Sequence, residues 1–384
     1  MNQPQILIVD DNPVNVRVAA AALEEVTTNI LSANSGERAL TILERVRPDL
    51  ILMDVNMPGL DGYETVRRIK AKPEIADIPV IFLTAQDDVS AKVEGFDAGG
   101  VDYVVKPFQH REIVARVQTH VKVHTLTREL AKERRAVMDS IQYARRIQRA
   151  MLPKEEQIQA RLPESFVLFR PKSIVSGDFF CFFDLDPWAI LVFADCTGHG
   201  VPGALMSVVG MASLQKIVQE RGVHDPPAIL EELDVEVRKL LNQDEEGGND
   251  GMDAVVIAVQ PTRKILYYAA AMRSFYRVRN GEATEFKGDK VPVGGAIYGE
   301  KRFTGGSVPI EAGDTFYLAS DGFTDQFGGE EGRKYMAKNF LTLLARIAAL
   351  PIAEQPAALD EEFDRWRGDH PQTDDVTVIG FRIP

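Results

Sequence analysis

Short apolar runs alternate with amphipathic stretches over the first third of the chain. The continuous runs predict strands that are buried on both faces: Gln5–Val9, Leu50–Met53, Val80–Leu83 and Tyr103–Val105, with a shorter strand at Thr28–Ser32. Between them, apolar residues at helical spacing predict helices over Val14–Val26, Gly36–Arg45 and Gly62–Ala71. This alternation predicts a doubly wound α/β domain around a five-stranded parallel sheet.

A different pattern follows, in which neither proline nor glycine occurs from Gln109 to Leu152. Apolar residues recur there at heptad spacing, interrupted by Glu133 and Ser140: Val123, Leu126, Leu130, Val137, Ala144, Ile147 and Met151. The spacing predicts one long helix, ended by Pro153, that pairs with a second copy of the chain as a coiled coil. The alternative is a single amphipathic helix packed on its own domain.

From Phe166 onward the pattern becomes mostly strand-like. Predicted strands are Phe179–Phe183, Ala189–Ala194, Ala254–Val259, Ile265–Ala270, Phe275–Val278, Thr315–Ala319 and Val376–Phe381. Predicted helices interrupt or follow them at Gly203–Gln219, Pro227–Leu241 and Tyr335–Leu350, and Gln243–Asp250 is predicted to be a mobile polar loop. Strands grouped around inserted helices favour an α+β sandwich.

Composition narrows the class of protein. The 384 residues suffice for two or three domains, and a net charge of −13 argues against broad nucleic-acid binding. No apolar run approaches the roughly 20 residues that span a bilayer, and the N-terminus lacks a signal-peptide pattern, so we expect a cytoplasmic protein without a membrane partner. The two cysteines lack zinc-ligand spacing and are expected to be reduced.

Polar residues follow successive predicted strands of the first domain at the point where each strand ends. Asp10 and Asp11 follow the first strand, Asp54 follows the strand at Leu50–Met53, and Thr84 and Lys106 follow the next two. Since the carboxyl ends of parallel strands meet in one crevice, these side chains should converge. Three carboxylates there require a cation, and hard oxygen ligands favour Mg²⁺.

Residues 4–122 resemble the response-regulator receiver family, through ILIVDDNPVN, LILMDVNMPGLDGYE, PVIFLTA and GGVDYVVKPF. The resemblance implies a flavodoxin-like fold and phosphorylation of Asp54 by a sensor histidine kinase. It also implies that Mg²⁺ is held by Asp10, Asp11, Asp54 and the carbonyl of Asn56. Thr84 and Lys106 would then sense the phosphate, Tyr103 would be the switch aromatic, and Lys106–Pro107 would be a cis bond.

A second set of acids recurs in the C-terminal part, in SGDFF, ADCTGHG, ASDGFTDQ and TDDVTVIGF. The acids are Asp178, Asp195, Asp321, Asp374 and Asp375, and a further segment, NDGMDAVVIAV, offers Asp250 and Asp253. Several lie at strand edges, where one site can collect them. Paired metal ions held by carboxylates can activate water and clamp phosphate oxygens. Each acid alone is also typical of a turn, as is His199 between two glycines.

Residues 139–384 resemble the type 2C metal-dependent serine/threonine phosphatases of the SpoIIE/RsbU-like branch. Matching stretches include DSIQYARRIQRAMLP, ADCTGHGVPGALMS, DGMDA, GDKVPVGG and EAGDTFYLASDGFTDQFGG. The resemblance implies two stacked antiparallel sheets flanked by helices, and substrates that are phosphorylated anti-sigma-factor antagonists. It implies that two Mn²⁺ or Mg²⁺ ions are held by Asp195, the carbonyl of Cys196, Asp321 and Asp374, and that Asp178 orients the attacking water.

Two departures from the phosphatase pattern concern substrate contacts. Ser176 stands where the family usually has glycine, and Ala270, Met272 and Arg273 replace the more common glycine and asparagine-type residues. A guanidinium suits bidentate phosphate binding, so Arg273 could meet a substrate phosphate, although an ordinary surface position is an equal alternative.

The sequence thus predicts three parts: a receiver at 1–122, a coiled-coil linker at 123–153 that forms a homodimer, and a phosphatase at 154–384. The expected function is dephosphorylation of a partner protein under control of Asp54 phosphorylation. One alternative is a non-catalytic adaptor that binds a sigma factor or its regulator. Another is a DNA-binding regulator, suggested only by the basic linker, whose charges more often keep a helix face solvated.

Overall fold

The computed structural model describes residues 3–85, 89–260, 264–296 and 299–384. Internal contacts divide the chain into two compact units, Met1–Val137 and Met138–Pro384. The division falls inside one long helix, so neither unit contains the whole of the predicted linker.

The first unit is built on a five-stranded parallel sheet. Its strands are β1 (Ile6–Val9), β2 (Ile30–Ala33), β3 (Leu50–Asp54), β4 (Val80–Thr84) and β5 (Asp102–Val105), in the order β2-β1-β3-β4-β5. Its helices are α1 (Pro13–Leu23), α2 (Gly36–Leu43), α3 (Gly62–Lys70), α4 (Val89–Asp97) and the first part of α5 (His110–Met151). The predicted doubly wound α/β fold is confirmed.

Side chains of the central strands alternate between two cores, as the pleat of a strand requires. Ile6 and Ile8 of β1 face a core that includes residues of α1 and α5, whereas Leu7 and Val9 face a core that includes residues of α2 and α3. Helices therefore cover both faces, which explains why the strand sequences are continuously apolar. The observed α1 ends at Leu23, three residues before the predicted end.

The predicted long helix is α5, which covers 42 residues from His110 to Met151. Its first turns pack on the receiver sheet through Ile113, Val114 and Val117. From Thr125 to Ser140 every residue is exposed. The helix ends just before Pro153, as predicted, because proline cannot continue a helix.

The second unit is a sandwich of two antiparallel sheets, as the resemblance implied. The strands of both sheets and one small hairpin are β6 (Ser165–Arg170), β7 (Phe179–Leu185), β8 (Trp188–Cys196), β9 (Gly251–Gln260), β10 (Ile265–Ala271), β11 (Ser274–Arg279), β12 (Glu282–Lys287), β13 (Val293–Gly294), β14 (Gly305–Pro309), β15 (Thr315–Ala319), β16 (Phe327–Gly328), β17 (Arg333–Lys334) and β18 (Val376–Arg382). One sheet has the order β14-β10-β9-β8-β7, with β13 paired to β9, and the other has the order β12-β11-β15-β18-β6.

Helices cover the outer faces of the sandwich. The helices of this unit are α6 (Glu155–Gln159), α7 (Gly200–Leu214), α8 (Pro226–Leu240), α9 (Gln243–Glu246), α10 (Ala337–Ile347) and α11 (Gln355–Arg367). A π-helical segment at Gln215–Glu220 extends α7, and a 3-10 turn at Ile352–Glu354 precedes α11. Aromatic and branched side chains of both sheets fill the space between them, including Phe193, Phe275, Phe316 and Phe381. Residues of α7 and α8 pack outside one sheet, and residues of α10 and α11 pack outside the other.

The structure differs from the sequence expectations in two elements. The predicted polar loop at Gln243–Asp250 begins with the helical turn α9, whose Gln243 is buried and donates to the carbonyl of Asp250. Helix α11 was not predicted at all. The helical segment Gly200–Glu220 is long and apolar enough by composition to cross a membrane, but 56% of its 18-residue apolar window is buried inside the unit.

Candidate functional sites

The receiver acids converge at the carboxyl edge of the parallel sheet. Carboxylate oxygens of Asp10, Asp11 and Asp54 all lie within 4.8 Å of one another. Asp10 and Asp54 are buried and Asp11 is exposed. The Lys106 ammonium lies 2.6 Å from Asp10 Oδ2 and 2.8 Å from Asp54 Oδ1. The four residues therefore form one pocket, in which Asp11 is the exposed acid.

Burial raises the pKa of the Asp54 carboxyl above its usual value. The hydrogen bond and charge of Lys106 oppose that rise, while the charges of Asp10 and Asp11 add to it. One ammonium thus offsets three carboxyl groups only in part. Hard oxygen ligands at this separation fit a Mg²⁺ ion, which would neutralise the excess negative charge.

The remaining receiver residues lie near this pocket. Thr84 ends β4 and is buried, and Tyr103 lies on β5, opposite Phe82 of β4, with its ring 6.3 Å edge-on from that of Phe96. A small cavity in the receiver is lined by residues that include Thr84 and Tyr103 together with Val55, Tyr63, Phe82 and Phe96. Asn56 is exposed two residues after Asp54, and the Lys106–Pro107 bond is cis as expected.

The phosphatase acids gather at one end of the sandwich from five separate segments. Asp195, near the end of β8, is paired in register with Asp253 of β9. Asp178 immediately precedes β7, Asp321 follows β15, and Asp374 lies just before β18. Burial raises the pKa of Asp195 well above its usual value, and the charges of Asp178, Asp321 and Asp374 raise it further. The strand edges thus bring together acids that are up to 196 positions apart in the printed sequence.

Asp178 is the most enclosed acid of this acidic cluster, with 1% of the residue exposed. The hydroxyl of Thr377 donates a 2.6 Å hydrogen bond to Asp178 Oδ2. Asp178 Oδ1 is buried and has no hydrogen-bond partner among the described residues. Burial raises the pKa of Asp178 to about 7. A buried carboxylate oxygen without a donor fits a ligand such as a cation or an ordered water.

Arg273 lies inside the acidic cluster, so the alternative of an ordinary surface arginine is wrong. Its guanidinium contacts Asp195 directly, Asp321 at 3.0 Å and Asp253 at 3.5 Å, and 13% of its side chain is exposed. Burial lowers the pKa of Arg273, but the three carboxylates outweigh burial and hold it above its usual range. One half-buried monocation therefore faces several acids, and the excess negative charge suits divalent cations.

Asp375 has a different task from its neighbour Asp374. Its buried carboxylate accepts 2.7 Å hydrogen bonds from the backbone N–H groups of Lys172 and Gly177. The residue thereby ties the segment carrying Asp178 to the start of β18. Asp375 is a positioning group in this structure, whereas Asp374 contributes charge to the cluster.

The other sequence candidates fall at the margin of the cluster. The Cys196 thiol is buried, and burial raises its pKa well above the usual value, which disfavours the nucleophilic thiolate. Its carbonyl is the atom that the resemblance implicates. His199 is exposed between Gly198 and Gly200, both at positive φ, which agrees with a turn role. Asp250 is exposed, and its carbonyl accepts from Gln243.

Sequence reasoning missed Thr377 and Gln148 as site residues. Thr377 lies in the matched stretch TDDVTVIGF, so its proximity to the acids was available as a signal. Gln148 also lies in a matched stretch, DSIQYARRIQRAMLP, but it is one of several glutamines on a helix rich in polar residues, and its spacing did not distinguish it from those that face solvent. Its burial, with 3% of the residue exposed, is visible only in the folded chain.

Comparison with known families matches the two units separately. Residues 6–118 match the family described as "Response regulator receiver domain", and residues 188–384 match "Stage II sporulation protein E (SpoIIE)". The chain is 36% identical to the solved structure of the SiaA-PP2C domain of Pseudomonas aeruginosa, with a TM-score of 0.61. That similarity covers 66% of this chain and 100% of the other.

Curated relatives are similar in the receiver part. The phosphate regulon transcriptional regulatory protein PhoB of Pseudomonas aeruginosa is 41% identical over 113 residues, which are 29% of this chain and 49% of PhoB. A probable cyclic di-GMP phosphodiesterase of Vibrio cholerae is 41% identical over 122 residues, which are 32% of this chain and 27% of that protein. The chain spans about half the length of the curated relatives that it matches, or less.

Proposed function

Because the chain belongs to the stage II sporulation protein E (SpoIIE) family and carries a receiver domain, we propose that it is a response regulator that dephosphorylates a partner protein. The substrate class that we propose is phosphoserine or phosphothreonine on an anti-sigma-factor antagonist. The observation that supports the proposal is the acidic cluster: Asp178, Asp321 and Asp374 lie close enough to Asp195 for their charges to raise its pKa, and Arg273 contacts Asp195 and Asp321.

The cluster fits a pair of divalent cations. Asp195, Asp321, Asp374 and the carbonyl of Cys196 would hold two Mn²⁺ or Mg²⁺ ions, which supply charge neutralisation and water activation when bound. Asp178, fixed by Thr377, orients the attacking water. Arg273 binds the non-bridging oxygens of the substrate phosphate, to which a guanidinium can donate two parallel hydrogen bonds.

In the receiver, Asp54 accepts the phosphoryl group from a histidine kinase. A P–O bond to the Asp54 carboxylate forms as the P–N bond of phosphohistidine breaks. Asp10, Asp11, Asp54 and the carbonyl of Asn56 would hold Mg²⁺, which offsets the charge of the incoming phosphate. Lys106, now bridging Asp10 and Asp54, pairs with the phosphoryl oxygens, and Thr84 and Tyr103 report its presence.

A second copy of this chain is the partner proposed for α5. The heptad positions Val123, Leu126, Leu130 and Val137 are 55 to 66% exposed. An apolar stripe at this spacing on a solvated helix is typical of a coiled-coil seam. Pairing of two α5 helices would bury the stripe and make the protein a homodimer.

The phosphatase proposal is tested with the purified chain, Mn²⁺ or Mg²⁺, and a phosphoserine peptide. Turnover is expected to need the metal and to vanish with EDTA. Asp195→Asn and Asp321→Asn are each expected to reduce turnover by several orders of magnitude, since each removes a charge that holds the cations. The matched control is Asp186→Asn, whose side chain is 89% exposed, and it should keep wild-type turnover. A folded wild-type chain that binds phosphorylated partners without hydrolysing them would favour the non-catalytic adaptor instead.

A further inference from the structure

Gln148 is the one buried residue of α5 between Thr125 and Met151, all of which the structure describes. The residues around it on this stretch of helix are exposed or half-buried. A glutamine buries its amide only where both ends find partners, because an unpaired amide in the interior is costly. The hydrogen-bond partners of the Gln148 amide therefore identify the segments to which this end of α5 is attached.

The Gln148 amide is bonded at three points. Its Nε2 donates to the carbonyl of Ser176 at 2.6 Å and to the hydroxyl of Ser207 at 2.8 Å. Its Oε1 accepts from the backbone N–H of Ser176 at 3.2 Å. The side chain thus pairs with both the N–H and the carbonyl of Ser176, as the backbone of a neighbouring strand would. Its third hydrogen bond, to Ser207, connects it to α7.

Ser176 lies two residues before Asp178 in the segment that leads into β7. Its hydroxyl accepts from the backbone N–H of Asp178 at 3.1 Å, and the intervening Gly177 N–H donates to Asp375 at 2.7 Å. Asp178 is therefore placed by a chain of contacts whose first member is Gln148. Thr377 holds only one oxygen of its carboxylate.

We propose that Gln148 is a positioning residue through which the end of α5 holds the Asp178 segment in its active geometry. A shift of α5 along or about its axis would break the three hydrogen bonds together, since all converge on one planar amide. The helix then controls turnover through the placement of Asp178. This inference rests on the proposed phosphatase function and adds the residue through which it is regulated.

The test compares Gln148→Leu with the matched variant Gln142→Leu, in which an exposed glutamine of the same helix is changed. Turnover of the phosphoserine peptide is expected to fall at least tenfold in kcat for Gln148→Leu, with KM changed less than threefold. Amide hydrogen exchange in the Val175–Asp178 segment should quicken. Gln142→Leu should match the wild type in both measurements.

A second variant, Ser207→Ala, keeps the test decisive if Gln148→Leu fails to fold. It removes one of the three bonds and should give a smaller fall in kcat with the same faster exchange. If either folded variant keeps wild-type kcat and wild-type exchange in this segment, Gln148 does not position Asp178 and the inference is overturned. A wild-type chain without any turnover would contradict the proposed function itself. The hydrogen-exchange measurement does not need turnover, so it tests the role of Gln148 separately.

Discussion

In both sites, several acidic side chains lie close together around one basic side chain. In the receiver, Lys106 bridges Asp10 and Asp54, and in the phosphatase Arg273 bridges Asp195 and Asp321. Each site thus contains one basic side chain among several acids. The basic residue holds the acids together and is also placed to meet the phosphate that each site would process.

Asp54 is expected to be the phosphorylated residue of the receiver. With acetyl phosphate and Mg²⁺ the wild-type chain should gain one phosphoryl group that is stable in acid and labile in base. Asp54→Asn should abolish the adduct, whereas Asp97→Asn, at an exposed helix position, should leave it unchanged. Intact mass spectrometry measures both, and equal labelling of Asp54→Asn and wild type would refute the assignment.

Arg273 is expected to bind the substrate phosphate. Removing a charge-assisted hydrogen bond costs about 1.5 to 3 kcal/mol, so Arg273→Ala should raise KM for the phosphoserine peptide roughly tenfold or more. Arg273→Lys keeps the positive charge but loses the two parallel N–H donors of the guanidinium, so its KM should lie between those of wild type and Arg273→Ala. Arg302→Ala, at a side chain that is 85% exposed, is the control. A KM that stays at the wild-type value in Arg273→Ala would exclude this role.

The acids of both sites were predictable because they directly follow or precede strongly apolar strands. The contacts of Arg273 could not be predicted, because Arg273 and Asp195 are 78 residues apart in the sequence. Their ion pair depends on how the strands that carry them are aligned. Gln148 was hidden for a related reason. Its partners lie in a distant segment, and polar residues on a helix ordinarily face water.

At the scale of elements, most strands were predicted because each is a continuous apolar run with clear breaks. Helix α11 was missed, since its segment is rich in acidic and basic residues and only a few positions, such as Leu359 and Phe363, face the core. The two-residue strands β13, β16 and β17 are too short for a period to show. Tertiary packing, more than local preference, creates such elements.

The exposed stripe on α5 gives a prediction about this helix. Changing Leu126 and Leu130 together to Asp should prevent pairing, because charges at neighbouring seam positions would be buried in the coiled coil. Light scattering should show a dimer for the wild type and a monomer for the variant. The control pair Glu129→Asp and Lys132→Arg keeps charge on exposed positions and should stay dimeric. A wild-type monomer at micromolar concentration would contradict the seam.

His124 of α5 should make the stability of the folded chain depend on pH. The residue is buried, and its Nε2 has no hydrogen-bond partner among the described residues. Burial lowers its pKa from 6.5, so the folded state favours the neutral ring. Below about pH 6.5 the unfolded chain binds a proton that the folded chain does not, and stability falls as pH falls. His124→Leu should lose less stability than wild type between pH 7 and 5.5 in thermal unfolding. An identical loss in both proteins would rule out this contribution.

At the scale of the whole molecule, one continuous helix joins the two units in sequence. At 1.5 Å per residue its 42 residues span about 63 Å. We expect phosphorylation of Asp54 to change receiver pairing and shift the α5 helices, and the polar seam positions Glu133 and Ser140 to keep the pairing near balance. A switch needs two states within a few kcal/mol of each other. The sequence predicted the continuous helix, whereas the attachment of α5 to the Asp178 segment required the folded structure.

The most direct measurement is turnover of a phosphoserine substrate by the full chain before and after phosphorylation of the receiver. Acetyl phosphate and Mg²⁺ supply the phosphoryl group, and Asp54→Asn serves as the unphosphorylated reference with an intact phosphatase. We expect phosphorylation to raise turnover in the wild type and the same treatment to leave the turnover of Asp54→Asn unchanged. Equal turnover of the phosphorylated and unphosphorylated wild-type chain would contradict control of the phosphatase by the receiver.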